Sequence, residues 1–126
     1  MKLEIVSTDN APAAIGPYSQ AVRCGNMLFC SGQIPLDPAT GEVVTGDIAV
    51  QAERVMDNIL AVLTAAGAGF DDVIKTTIYL VDMADFAAVN EVYGSRFPHH
   101  KPARSTVAVR SLPRGAYIEI EIIAAL

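Results

Sequence analysis

Ile118-Glu119-Ile120-Glu121-Ile122-Ile123-Ala124, close to the end of the chain, decides the fold class. Side chains along an extended chain alternate between two faces, so Ile118, Ile120 and Ile122 share one side and Glu119, Glu121 and Ile123 the other. Tyr117 to Ala124 therefore reads as a strand with one face turned to a core. Working backwards, Ala103 to Val109 is a second strand, joined to it by a loop holding Pro113 and Gly115. Phe86, Val89, Val92, Tyr93 and Phe97 lie at helical spacing and end at Pro98, with Asp82 as the expected cap and Asp85 three residues on in a capping-box pattern. Ile74 to Val81, rich in β-branched residues, is a strand. Before it, Ile48, Ala52, Val55, Ile59, Val62 and Ala66 form one apolar stripe, with Asp47 as N-cap and Gly67 as the left-handed residue that closes the helix. Lys2 to Val6 is a short strand. Tyr18 to Arg23 and Met27 to Ser31 form a hairpin about Cys24-Gly25-Asn26. The expected fold is α+β: one mixed sheet with two helices packed on one face.

Composition bounds the rest. The chain has 126 residues, enough for one domain of the usual ~150 residues and no second. Hydrophobic residues make up 52% and charged residues 18%, which excludes a disordered chain. The net charge of −5 and a pI near 4.8 argue against a nucleic-acid partner, whose footprint is basic. The beginning of the chain carries Glu4 and no apolar run, and no segment approaches the ~18 apolar residues of a membrane span. A cytoplasmic location with no membrane partner is expected. The sheet face away from the helices has no cover within the chain, yet charges are too few to make it an easy solvent face. An oligomer that buries this face is the expected answer.

The chemistry scan excludes more than it finds. Cys24, Cys30, His99 and His100 show no zinc spacing, and His99-His100 reads as a solvated loop pair. Cys24 and Cys30 flank a turn and are expected as reduced, buried thiols. Gly67-Ala68-Gly69 follows a helix, not a strand, so it is a turn and not a dinucleotide fingerprint. No cofactor and no metal are expected. Arg104, within Pro102-Ala103-Arg104-Ser105-Thr106-Val107, taken alone reads as an edge-strand residue with its head in water. Glu119 and Glu121 alone read as the wet face of a strand. Together, on neighbouring strands near a sheet end, Arg104 and Glu119 could form a salt bridge or a site for a small carboxylate.

Those residues carry a resemblance. Pro102-Ala103-Arg104-Ser105, a strand, a short loop and Ile118-Glu119-Ile120 resemble the signature of the Rid (YjgF) family of reactive-intermediate deaminases. Ala13-Ala14-Ile15-Gly16-Pro17-Tyr18-Ser19-Gln20-Ala21-Val22, Ser31-Gly32-Gln33-Ile34-Pro35, Lys75-Thr76-Thr77 and Phe86-Ala87-Ala88-Val89-Asn90 extend the resemblance over essentially the whole chain. It implies a chorismate mutase-like fold and a homotrimer with substrate clefts between subunits. It also implies hydrolysis of 2-iminobutanoate and 2-iminopropanoate to 2-oxo acids and ammonia. In such a site Arg104 would fork onto the carboxylate and Glu119 would hold the attacking water. The backbone at Ser31, Gly32 and Thr106 would bind substrate, and Tyr18, Phe86 and Asn90 would shape the pocket, some from a neighbouring subunit. Thr106 stands where many family members carry cysteine. Rival readings are a non-catalytic 2-oxo acid binder, an endoribonuclease or translation inhibitor, and a stress chaperone.

Overall fold

A computed structural model describes residues 2–126. Six strands and two helices follow in the order β1 (Leu3–Val6), β2 (Ala21–Cys24), β3 (Met27–Cys30), α1 (Ile48–Ala65), β4 (Val73–Leu80), α2 (Phe86–Ser95), β5 (Ala103–Ala108) and β6 (Ile118–Ala125). The strands form one mixed sheet, ordered β1-β2-β3-β6-β4-β5, in which only β4 and β5 run parallel. The expected α+β architecture with both helices on one face is what the chain adopts.

The helices form where local chemistry directs. The Asp47 carboxylate accepts from Val50 N at 3.0 Å, and Gly67 closes α1 with a φ of +77°. Ala52, Val55, Ile59 and Val62 are buried against Ile118, Ile120 and Ile122 of β6, as the two periodicities require. Each such large aliphatic side chain contributes about 1.5–3 kcal/mol. α2 buries Val89 and Tyr93, and Phe97 beyond its end packs on Tyr93 and edge-on to Phe70. Its start differs from expectation. Asp82 caps a separate single turn at 83–85 by accepting from Ala84 N, and Asp85 makes no side-chain cap bond, so no capping box exists.

Three further expectations need correction. β6 does not pair with β5; it inserts between β3 and β4, so β5 becomes an edge. Cys24 and Cys30 are free thiols as expected, with the hairpin register setting Cys24 across from Met27 and Cys30 across from Ala21, but they are half-buried and not buried. Burial pushes the Cys30 thiol up to about 12, which makes it a poor nucleophile. Only His99 is a solvated loop residue, 3.0 Å from Asp71; His100 turns inward to the Val73 carbonyl and the edge of Phe97.

The sheet face opposite the helices is uncovered by this chain. At its β1–β3 end it carries Leu3, Ile5 and Phe29, each about half exposed or more. Its centre is polar, with Tyr79 donating to the Glu121 carboxylate at 2.7 Å and Lys75 capping the Thr76 carbonyl.

Candidate functional site

The residues expected to act together lie in two groups on opposite faces of the sheet. Arg104 sits across from Thr76, whose side chain points under the helices; Glu119 sits across from Tyr79, which points to the open face. With β4 between them and the alternation out of phase, Arg104 and Glu119 of one chain can form neither a salt bridge nor a shared cleft. The inserted position of β6 is the physical reason.

The first group gathers at the β5 edge beside α2. Arg104 Nη1 donates to Asn90 Oδ1 at 2.6 Å, and its guanidinium lies 5.0 Å from the centre of the Tyr93 ring and 5.5 Å from that of Phe86. These are cation–π distances. Tyr93 is buried and its hydroxyl is 2.7 Å from Thr76 Oγ1, directly under Arg104 in the strand register. Burial raises the Tyr93 pKa, partly offset by the Thr76 hydrogen bond and by Arg104, so the ring stays neutral. The guanidinium is thus held near two rings with one N–H bonded to Asn90, beside a recess bounded by Lys101 and Pro102. Thr106, two residues along the same face, has a buried hydroxyl with no hydrogen-bond partner.

The second group surrounds a cavity of about 480 Å³ lined by Tyr18, Ser31, Gly32, Arg114 and Glu119 among apolar neighbours. Gln33 and Ile120 exchange two backbone hydrogen bonds, which lays the Ser31–Gln33 segment against β6 beside Glu119. Gly32 leaves room for that carboxylate in its present position: a Cβ there would run into Glu119 Oε2. Burial, with a smaller contribution from the Glu121 charge, raises the Glu119 pKa. The Ser31 hydroxyl donates to the Ser19 carbonyl at 2.5 Å, so toward a ligand it can only accept.

Buried amides set the walls of this cavity. Gln20 accepts from Thr8 N and donates to the Thr8 and Pro12 carbonyls, pinning the segment that leads to Tyr18. Asn58 of α1, fully buried, donates to the carbonyls of Ile34 and Leu36. Arg114 carries the one positive φ outside glycine among the described residues, +61°, and donates to the Gly41 carbonyl. The sequence reading used Tyr93 only as core and missed Gln20, Asn58 and Arg114. Asn58 carried a signal, a polar residue between the stripe members Val55 and Ile59. Among the described residues no cluster of three or more His, Cys, Asp or Glu is placed to hold a metal, and no helix is long and apolar enough to cross a membrane.

Residues 8–126 match the family described as endoribonuclease L-PSP. A RutC family protein of Pyrococcus horikoshii is 57% identical over 96% of both chains. The 2-iminobutanoate/2-iminopropanoate deaminase of Escherichia coli is 51% identical over 94% of both. A solved Yersinia pestis protein of the conserved Rid family superposes with a TM-score of 0.97 at 46% identity, covering 99% of this chain and all of its own.

Proposed function

This chain belongs to the Rid (endoribonuclease L-PSP) family, and from that membership and the geometry above we propose that it hydrolyses reactive 2-imino acids to 2-oxo acids and ammonia. The observation that carries this reading is a guanidinium held beside two aromatic rings by one bond to Asn90, together with a half-buried carboxylate of raised pKa beside an acceptor-only serine. An acidic chain cannot steer an anion from a distance, so a local fork must bind the carboxylate, and Arg104 supplies one. The substrate's protonated imine nitrogen needs acceptors; the Ser31 hydroxyl oxygen and the Glu119 carboxylate provide them. Glu119 takes a proton from water as it adds to the imine carbon. It returns that proton to nitrogen, and as the C–N bond breaks it takes the remaining proton of the added hydroxyl and passes it to the departing ammonia, so water and protonated imine balance to ketone and ammonium.

Because the two groups lie on opposite faces, the proposal includes a neighbouring copy that brings its Arg104 group to the Glu119 cavity. Such a contact joins two different surfaces and is heterologous, the kind that closes as a ring. We take the ring to be a trimer of chorismate mutase-like protomers, the arrangement the family resemblance implies. The net charge of −5 and the absence of a basic stripe weigh against RNA as the substrate.

The test couples the protein to a threonine dehydratase in amine-free buffer and follows 2-oxobutanoate release. Arg104→Ala and Glu119→Gln should each lose the acceleration. Co-assembled one to one, the two inactive chains should recover about a quarter of the wild-type rate, since half of the arginine donors and half of the glutamate donors are intact at each shared site. No recovery would refute the shared site. Binding of 2-oxobutanoate without acceleration would leave a carboxylate-binding protein in place of an enzyme.

A further inference from the structure

The cavity beside Glu119 is larger and more apolar than a small imino acid needs. Away from Glu119, Ser31 and Gly32, its wall is formed by Pro12, Ala13, Ile15, Ile34, Leu36 and Pro113. Its volume of about 480 Å³ falls in the usual ~300–1,000 Å³ range of sites that enclose drug-sized ligands. Ile15 stands 80% exposed at its mouth, an apolar side chain without cover. The wall is also built to hold its shape. Gln20 ties down Pro12, Asn58 ties down Ile34 and Leu36, and Arg114, in a left-handed conformation unusual for arginine, links the Pro113 turn to the loop at Gly41. Strained and over-determined backbone of this kind marks ligand sites more often than bare structure.

From this we infer that the apolar wall receives the substrate's side chain, and that the protein selects 2-imino acids with bulky apolar side chains over those derived from alanine-sized amino acids. The inference rests on the deaminase reading for the place of the reacting carbon, between Glu119 and Ser31. From there the side chain runs along Ile34 and Leu36 toward Ile15. Arg114 lines the same cavity and offers the one competing chemistry, a distal carboxylate. Its hydrogen bond to the Gly41 carbonyl and the apolar character of the rest of the wall favour the apolar side chain.

Product-shaped 2-oxo acids test the inference without turnover. Calorimetric titration of the assembled protein should show 4-methyl-2-oxopentanoate binding at least tenfold more tightly than pyruvate. Full burial of the extra carbons at about 0.8 kcal/mol each would give roughly 50-fold. Ala13→Phe, which narrows this wall, should weaken 4-methyl-2-oxopentanoate at least tenfold more than it weakens pyruvate and so abolish the preference. Equal affinities would overturn the inference, and would mean that a neighbouring copy fills the cavity. So would absence of binding, or tighter binding of 2-oxoglutarate, which would make Arg114 the reader of a charged side chain. A retained preference in a protein that accelerates no imine hydrolysis would keep the side-chain site and discard the deaminase reading alone.

Discussion

Gly32→Ala is the sharpest probe of the Glu119 cavity. Built on the present backbone, the new Cβ lies 2.0 Å from Glu119 Oε2, 2.8 Å from Cδ and 3.0 Å from Cγ, whereas ordinary contact begins at 3.4 Å. The carboxylate must therefore retreat by about 3.4 − 2.0 = 1.4 Å along that direction. It can do so by rotating its side chain, because Glu119 is only half-buried and, among the described residues, none is seen to hold its oxygens by a hydrogen bond. The strain is thus relieved locally, and the fold should lose less than about 1 kcal/mol. The reaction has no such freedom. A misplacement near 1 Å costs about 10²-fold, which corresponds to about 2.7 kcal/mol in the barrier.

The expected outcome is a kcat/KM for 2-iminobutanoate reduced about 100-fold, with a melting temperature within a few degrees of wild type. 2-Oxobutanoate binding through Arg104 should be largely retained. Introduced into Glu119→Gln, the alanine should cost nothing further, because both changes remove the same carboxylate. Wild-type activity in Gly32→Ala would refute the placement of Glu119 as the proton carrier. An additive loss in the double variant would refute the route through Glu119.

Three other outcomes follow from the same geometry. Glu119 is raised by burial and then by the Glu121 charge, so Glu121→Gln should move the acidic limb of the kcat/KM profile to lower pH; it should also relieve part of the cost that a raised carboxyl imposes on folding once ionised, and an unmoved limb would discount the coupling. Tyr93→Leu removes the ring beneath Arg104 and should raise KM and the 2-oxobutanoate dissociation constant about fivefold with little change in kcat, and the same substitution in an Arg104→Ala background should leave that dissociation constant unmoved. Thr106→Val deletes a buried hydroxyl without a partner at nearly constant volume and should raise the melting temperature by a few degrees, about 1 kcal/mol; a fall would show that the hydroxyl is satisfied on assembly.

The elements of the fold were legible because each rests on a local rule. The Asp47 cap, the stripe from Ala52 to Val62 and the alternation of Ile118, Glu119 and Ile120 each survive in the structure with shifts of a residue or two. Strand order was not legible in the same way. Alternation assigns side chains to faces, but pairing of successive strands is only a tendency, holding roughly two-thirds of the time. β6 breaks it, and a cue was present. Its seven-residue run Ile118–Ala124 is apolar apart from two acids, suiting a central strand, whereas β5 with Arg104, Ser105 and Thr106 suits an edge. The supporting residues were harder still. Gln20 and Asn58 act on carbonyls 8 to 24 positions away in the chain, a separation at which no local pattern exists to be read.

Charge and composition acquire a common explanation once the two half-sites are seen on opposite faces. Copies that each carry −5 repel one another, so attraction between them must come from apolar burial, and Leu3, Ile5, Phe29 and Val107 are exposed on the open face to supply it. Burial of this kind is non-directional and sets no register. Register needs a local charge match. In the assembly proposed above, Arg104 of one copy against the cavity of Glu119 in the next would provide it, with a substrate between them whose carboxylate would meet the cation and whose cationic imine would meet the anion. In that arrangement the low charge content is a condition of the site: a more evenly charged open face would leave the edge arginine and the half-buried glutamate on separate molecules.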